Sequence, residues 1–450
     1  MGRPAIRRIL ASIALVALGA TACVERVESG QGGSTGASTR PSTPANVQGG
    51  SAANGPPAIT GYEGEKVSFG TIPDAPKQAT GNPIKVGMIN QENTPLGSFP
   101  ELRLGAQAAV DFINRELGGV DGRPLELSPC ITTFSVEKSQ QCAQDLVQQD
   151  VVAVTGGIDI TSSGSIPVLE QNNLPYIGGI PVNFTEMQSP MSFQFSGGAP
   201  GAFVAFAKHA ADTGAKKVVV AYADYPPIKS AAVDYGVRTL EKLGVPEIVE
   251  VPFPVTATDL LPVITKAKES GADAVFVGAA DTACAPAMKN AHDLGLTSQM
   301  YLVGACAAPN IADQIGVEAV EGRIFNIENP SDPNDLETAM YFAAVAKHGS
   351  PELPAASAAT ISFRNVMNLY ALMVELGPDN ITKETLLEKV RASRNRPSFA
   401  GHPYTCDGAQ MPDLRALCAP QQILVKRTGD DLTPQTDWID VPAIVQAPAQ

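Results

Sequence analysis

The residues able to do chemistry are seven cysteines, four isolated histidines and a few hydroxyl-bearing turns in a chain of 450 residues. Gly32-Gly33-Ser34-Thr35-Gly36 has the spacing of the tight turn that exposes a serine nucleophile. It lies in low-complexity sequence without the flanking strand and helix, so the match is compositional. His209, His292, His348 and His402 stand apart, and no two cysteines have the C-x-x-C spacing of a metal site. There is no phosphate-binding glycine loop, no H-E-x-x-H and no plausible Ser/His/Asp set. The expectation is a protein that is no enzyme and needs neither metal nor cofactor. Its hydroxyls and backbone groups bind rather than react.

Cys23 has a different setting. Arg3, Arg7 and Arg8 precede an apolar run from Ile9 to Ala22. That run is too short to span a bilayer comfortably and reads as an export signal, residues 1–22. It ends in Ala20-Thr21-Ala22-Cys23, which resembles a bacterial lipobox with Ala20 where that pattern usually has Leu. The resemblance implies lipidation of Cys23 and anchoring to the outer face of the cell membrane. The other reading is an ordinary cleaved signal with an incidental cysteine. Residues 23–82, rich in Gly, Ser, Thr, Pro and Ala, are expected to form a flexible tether.

The remaining six cysteines are an even set in an exported chain, which favours disulfides. Six cysteines allow about fifteen pairings. Sequential pairing, Cys130–Cys142, Cys284–Cys306 and Cys406–Cys418, is the simplest.

The formal net charge of −14 becomes −17 once the three signal-segment arginines are removed. That balance excludes a basic nucleic-acid face. Hydrophobic residues make up 44%, enough for a sizeable core, and the one long apolar run is N-terminal, which excludes a multi-span membrane protein. From Ile84 onward short apolar strands alternate with amphipathic helices. The first round covers Ile84–Ile89, Leu104–Leu117, Leu125–Leu127, Ser135–Gln149, Val151–Thr155, Ser163–Asn172 and Pro175–Ile177. A second begins with a helix at Gly201–Thr213 and a strand at Lys217–Tyr222, and runs to a strand at Gln299–Val303. Further helices lie near 335–347, 357–375 and 383–393, with a last strand at Gln422–Lys426. Strands separated by single helices imply α/β lobes with parallel sheets and right-handed crossovers.

Several segments carry a resemblance: Ile84-Lys85-Val86-Gly87, Gly105-Ala106-Gln107-Ala108-Ala109 followed by Asn114, and Val154-Thr155-Gly156-Gly157 before Thr161-Ser162-Ser163. Pro175-Tyr176-Ile177 and Gly271-Ala272-Asp273-Ala274-Val275 complete the set. In this order and spacing the chain, over about Pro83 to Pro442, resembles the type I periplasmic binding proteins, most closely the branched-chain amino-acid binding lipoproteins of ABC importers. The resemblance implies two Rossmann-like lobes joined by a three-segment hinge. Residues 83–198 plus 328–410 are expected to form the N-terminal lobe, and 199–327 plus 411–442 the C-terminal lobe, with a small ligand between them.

Open parallel sheets bind ligands beyond the carboxyl ends of their strands, and the candidate residues are placed there. Thr161, Ser162 and Ser163 are expected at a strand end and helix start, where free N–H groups and hydroxyls favour a carboxylate; plain N-capping is the alternative. Gly178, Gly179 and Ile180 offer close backbone approach, or only a loop turn. Tyr225 offers an aromatic wall or hydroxyl. Asp281 and Thr282 offer an acceptor for an ammonium or amide, or a helix cap. Phe99 is placed at the pocket wall. The resemblance implies a carboxylate in the loop after the strand at Met300–Val303, but Gly304-Ala305-Cys306-Ala307 has no acid. Phe363-Arg364-Asn365 departs as well, since relatives tend to have Tyr before an acid or small residue.

The expectation is an exported, lipid-anchored and monomeric binding protein that passes a solute to an ABC transporter permease. A branched-chain type amino acid is the first guess, and an amide or urea-like compound the second. A sensor on the same scaffold is the alternative, and an enzyme or structural lipoprotein is the third class.

Overall fold

Among the residues described in the computed structural model, 58–448 apart from 95, 280, 331, 333 and 356, the first strands are a small antiparallel pair, β1 (Lys66–Val67) and β2 (Gly70–Thr71). The N-terminal lobe follows with β3 (Ile84–Gln91), β4 (Leu125–Thr132), β5 (Ala153–Gly156), β6 (Tyr176–Ile177) and β7 (Ser192–Phe193). They form a wholly parallel sheet in the order β4-β3-β5-β6-β7. The C-terminal lobe takes β8 (Lys217–Ala223), β9 (Glu247–Phe253), β10 (Ala274–Gly278), β11 (Gln299–Leu302) and β12 (Ile324–Ile327). The chain then returns to the first lobe for the helices Leu336–His348, Ala359–Leu376 and Lys383–Arg391 and the hairpin β13 (Arg396–Ser398) and β14 (Gly401–Tyr404). Finally β15 (Ile423–Thr428) and β16 (Asp431–Pro434) complete the second sheet, β16-β15-β12-β11-β10-β8-β9, as antiparallel edge strands. All of these elements fall within one compact unit.

Periodicity explains the layers. Val86 pairs with Ala153 and Met88 with Thr155, so their side chains share one face, beneath the helices Pro100–Arg115 and Ala359–Leu376. Gly87 and Val154 share the other face, toward the helix Val136–Gln148. A Cβ at Gly87 would meet a Leu146 methyl at 2.8 Å, so a larger residue there would have to displace Leu146. Val218 to Ala221 are fully buried, as expected where helices cover both faces of a parallel sheet.

The three sequential disulfides are present, with Cα separations of 5.5, 5.1 and 4.6 Å for Cys130–Cys142, Cys284–Cys306 and Cys406–Cys418. The first ties β4 to the following helix. The second ties the helix Cys284–Asp293 to the short helix Gly304–Ala307.

Two sequence expectations are corrected. Residues 58–82, grouped with the tether, are packed onto the first lobe. Ile59 and Ile72 are buried in its core, the Phe69 ring lies 5.8 Å from Tyr370, and the Ser68 N–H donates to Glu337 at 2.6 Å. Ile59, Phe69 and Ile72, spaced through a polar stretch, are buried in that core, against the stretch's average composition. The third helix begins at Ser165, not Ser163, because residues 161–164 form a hydrogen-bonded turn. Residues 1–22, Cys23 and the tether up to residue 57 lie outside the described residues.

The chain crosses between the sheets three times, at about residues 194–197, 328–335 and 405–422. One buried ion pair joins all three crossings. Glu328 Oε1 accepts from Ser196 Oγ at 2.9 Å, the Gly197 N–H at 2.8 Å and Gln422 Nε2 at 2.7 Å. Its Oε2 pairs with Arg364 Nη2 at 3.1 Å, and the Arg364 guanidinium also donates to the carbonyls of Glu328 and Phe195. Arg364 is 2% exposed and Glu328 5%. Removing one partner strands the other charge, so Arg364→Met is expected to cost about 3–5 kcal/mol in urea unfolding. Glu328→Gln is expected to cost less, because it keeps an acceptor for the crossover groups. Equal stability of Arg364→Met and wild type would contradict this assignment.

Candidate functional site

The strand ends of the first lobe converge on the segment Ile158–Ser165. Its centre is Asp159, which sequence reasoning missed although an acid between Ile158 and Ile160 was a visible signal. Asp159 is 1% exposed. Its carboxylate accepts from Ser139 Oγ at 2.6 Å, Thr161 Oγ1 at 2.8 Å, the Thr161 N–H at 3.1 Å and Ser165 Oγ at 3.2 Å. Thr132 Oγ1 lies at 3.4 Å. Burial holds this carboxyl above the ordinary carboxylate range, opposed by its bonds from Ser139, Thr161 and Ser165.

This changes the role of the expected anion-binding turn. Thr161 is committed to Asp159 and the Ser135 carbonyl. The Ser162 N–H donates to the Asp159 carbonyl, and the Gly164 N–H to the Thr161 carbonyl. Ser162 Oγ is buried beside the Glu186 carboxyl and opposes the rise that burial gives its pKa, while Ser163 is exposed. Neither serine caps the helix, whose N-cap position is Gly164.

Gly178 and Gly179 follow β6 with φ of 83° and 138°, conformations that favour glycine. They are less open than expected. The Gly178 N–H donates to the Phe193 carbonyl and the Ile180 N–H to Gly157, each at 2.8 Å. A Cβ at Gly178 would lie 2.5 Å from Asn365 Cγ, so the loop is pressed against the helix that carries Arg364. Phe99 is 4% exposed and belongs to the lobe core, where its carbonyl accepts from Asn90, so its assignment to the pocket wall is corrected.

From the other lobe, Tyr225 reaches across. It packs partly buried against both lobe cores, its hydroxyl is 3.5 Å from the Ile160 carbonyl, and its ring centroid is 5.9 Å from that of Phe134. Burial, then the charge of Asp159, raises its phenol pKa. Phe134 was not singled out from sequence. It holds φ at 58°, a strained value for a bulky residue. Asp281 and Thr282 begin the one-turn helix Asp281–Ala283 beyond β10, and Thr282 is exposed. The acid-free loop Gly304–Ala307 forms a short helix beyond β11, and the Gly304 N–H donates to Asn326 Oδ1 at 2.9 Å. Among the described residues no group of three His, Cys, Asp or Glu could hold a metal ion, and no helix is long and apolar enough to cross a membrane.

Two α/β lobes joined by three crossings and bridged by an aromatic residue define the class of two-lobed solute-binding proteins. The sequence profile of the periplasmic binding proteins matches residues 83–411, and the chain belongs to that family. No curated protein matches the chain in sequence. Among solved structures, a leucine-binding protein from Thermotoga maritima is similar at 20% identity and a TM-score of 0.64, covering 78% of this chain and 98% of that one. A fatty acid ABC transporter substrate-binding protein from Thermomonospora curvata has 16% identity, a TM-score of 0.69 and coverage of 84% and 98%. An ABC transporter solute-binding protein from R. palustris, in complex with 4-hydroxybenzoate, has 22% identity, a TM-score of 0.65 and coverage of 79% and 96%. At these identities the likeness is one of fold.

Glu186, in the first turn of the short helix Phe184–Gln188 beyond Gly179, is also 1% exposed. It accepts from the Val182 and Asn183 N–H groups at 2.6 and 3.3 Å, and burial nevertheless pushes its carboxyl up to about 8. The folded protein therefore holds a proton that the unfolded chain releases near its ordinary value of 4.5. Stability from this group is complete below that value and is lost as pH rises toward 8. The melting temperature is expected to fall between about pH 5 and pH 8. Glu186→Gln keeps the acceptor without the ionisation, so its melts are expected to fall less over that window; an identical slope in both proteins would contradict the assignment.

Proposed function

We propose that this protein is the extracytoplasmic substrate-binding component of an ABC importer, anchored through a lipid on Cys23. It captures a small polar solute between its lobes and presents the closed complex to a membrane permease. The observation that carries this reading is Tyr225, which spans from the second lobe to Phe134 and Ile160 of the first, over the strand ends where parallel α/β sheets take ligands. The solute is an amino acid, of branched-chain type on the sequence resemblance, or an amide or urea-like compound where Gly304–Ala307 lacks the expected acid. Asp281 is the acceptor proposed in the second lobe, with Thr282 beside it. Ser162, Ser163 and the Gly178–Ile180 loop are proposed to face the solute from the first. The protein acts as a monomer, and no catalytic step is assigned to it.

Binding is tested by a thermal-shift screen of amino acids, amides and small carboxylates. A solute at about 100 times its Kd is expected to stabilise the fold by about 2.7 kcal/mol. Tyr225→Ala is expected to weaken its binding by about 0.5–1.5 kcal/mol, the worth of an aromatic contact. Unchanged affinity in calorimetry would remove the interlobe cleft as the site.

Anchoring is tested separately. Cys23→Ser is expected to leave the protein unprocessed or release it from the membrane fraction. A variant that stays membrane-bound and still takes up a lipid label would refute the anchor.

A further inference from the structure

One buried acid joins both segments of the first lobe that are proposed to face the solute. Glu186 Oε1 accepts from the Val182 and Asn183 N–H groups, which follow Gly178–Ile180. The same carboxyl lies beside Ser162 in the turn beyond β5. The next residue, Met187, is buried in an apolar cluster with Val204 and Tyr235 of the second lobe and Met411, Leu414 and Leu417 of the third crossing. The charged and titratable groups around Glu186 leave it the one that changes state near neutral pH. Burial raises its carboxyl most, the Val182 N–H lowers it, and the Asp159 charge raises it again. Tyr176 is held a neutral phenol by burial and by the charges of Glu186 and Asp159. The third crossing brings Asp413 and Arg415, both exposed, and the second lobe brings Tyr235, whose phenol burial pushes up to about 12. Glu170 is engaged by Ser189 Oγ at 2.6 Å. The two forms of Glu186 differ in what they ask of Ser162. The neutral acid accepts at Oε1 and carries an O–H on its other oxygen, for which the Ser162 oxygen is an acceptor. The carboxylate can only accept, and it draws the Ser162 O–H to itself.

We propose that Glu186 is a positioning residue of the solute site: as the neutral acid it leaves the Ser162 hydroxyl free to donate to a solute oxygen, and as the carboxylate it takes that donor away. This rests on the reading that a solute binds between the lobes against the turn 161–165. Capture is then coupled to a proton, and linkage fixes the sign. Binding that favours the neutral acid weakens as pH rises through the value of about 8 that burial gives Glu186. By reciprocity, solute binding holds the proton on Glu186 more tightly. A solute carboxylate feels the change most, because ionised Glu186 removes a donor and adds a like charge. Ser163 is exposed and keeps its hydroxyl in either state, so affinity is reduced rather than abolished.

Two measurements on the whole protein test the proposal. The first needs no solute. Carbon-13 carboxyl NMR follows the titration of Glu186, its resonance assigned by its loss in Glu186→Gln. Ser162→Ala is expected to move the midpoint upward, because the hydroxyl that favours the carboxylate is gone. An unmoved midpoint would overturn the proposal. The second is calorimetry with L-leucine and isovaleramide as probes, each of which carries an acceptor oxygen. The wild type is expected to bind the probe it takes about fourfold more weakly at about pH 8.5 than at about pH 6.5. Glu186→Gln keeps a donor and an acceptor as the neutral acid does, and is expected to lose that dependence. Ser162→Ala is the second variant, since a change at Glu186 also acts on the interlobe packing of Met187. It is expected to bind more weakly throughout and to show no such dependence. A Glu186 that only caps its helix would leave the pH profile of Ser162→Ala like that of wild type, and that result would also overturn the proposal. Failure of both probes to bind would count against the solute class proposed above, while the NMR midpoint would still decide the contact between Glu186 and Ser162.

Discussion

The arrangement of the two lobes depends on one buried carboxylate. Glu328 lies at the second crossing, yet its oxygens hold backbone and side-chain donors from the first and the third, and its charge is matched by Arg364 from the long helix of the first lobe. An ion pair this deeply buried gains little net stability, because both ions lose their hydration. What it supplies is a fixed junction. Each crossing taken alone is a short irregular segment with polar backbone to satisfy, and Glu328 satisfies parts of all three at once. The β13–β14 hairpin also bends around this pair. A Cβ at Gly401 would sit 2.8 Å from Arg364 Cδ, so only glycine lets the chain pass so near.

The alternation of strands and helices was legible because buried strands are short apolar runs and their covering helices repeat every three to four residues. The cysteine pairing was legible for a related reason, since each bridge spans one local strand–helix or loop unit. The polar junctions were not. Glu328 follows an ordinary strand and Arg364 sits within an otherwise apolar helix. That Arg364 was the unusual residue could be read from sequence, but its partner 36 positions away could not. Asp159 escaped for the same reason: its ligands come from β4, from two helices and from its own turn, which only the folded sheet brings together. At the N-terminus composition misled, because Ile59, Phe69 and Ile72 are few in number yet fall where the first lobe leaves apolar surface to cover.

The two buried acids of the first lobe explain how a turn rich in hydroxyls differs from a ligand cradle. Hydroxyl-rich turns attract negative charge, and a protein can supply that charge itself. Asp159 does so here, and its bonds from Ser139, Thr161 and Ser165 make a hydrogen-bonded knot. Glu186, close by, is held by two backbone N–H groups in a capping arrangement with Asn183. The knot ties residues 159–165 to one another and to Ser139.

Junction and site are also physically continuous. The Gly304 N–H donates to Asn326 Oδ1, Asn326 Nδ2 donates to Gln422 Oε1, and Gln422 Nε2 donates to Glu328. On the far side of Glu328, Arg364 is followed by Asn365, whose side chain is pressed against Gly178 while both of its amide atoms find no partner. A polar seam thus runs from the loop beyond β11, through the crossings, to the loop beyond β6. Its members are paired by hydrogen bonds as far as Arg364 and unsatisfied at Asn365. A buried unsatisfied amide is costly, and here it lies at the β6 end of the seam. A polar group brought against Asn365 would therefore gain a hydrogen bond at the end of the seam that reaches Glu328.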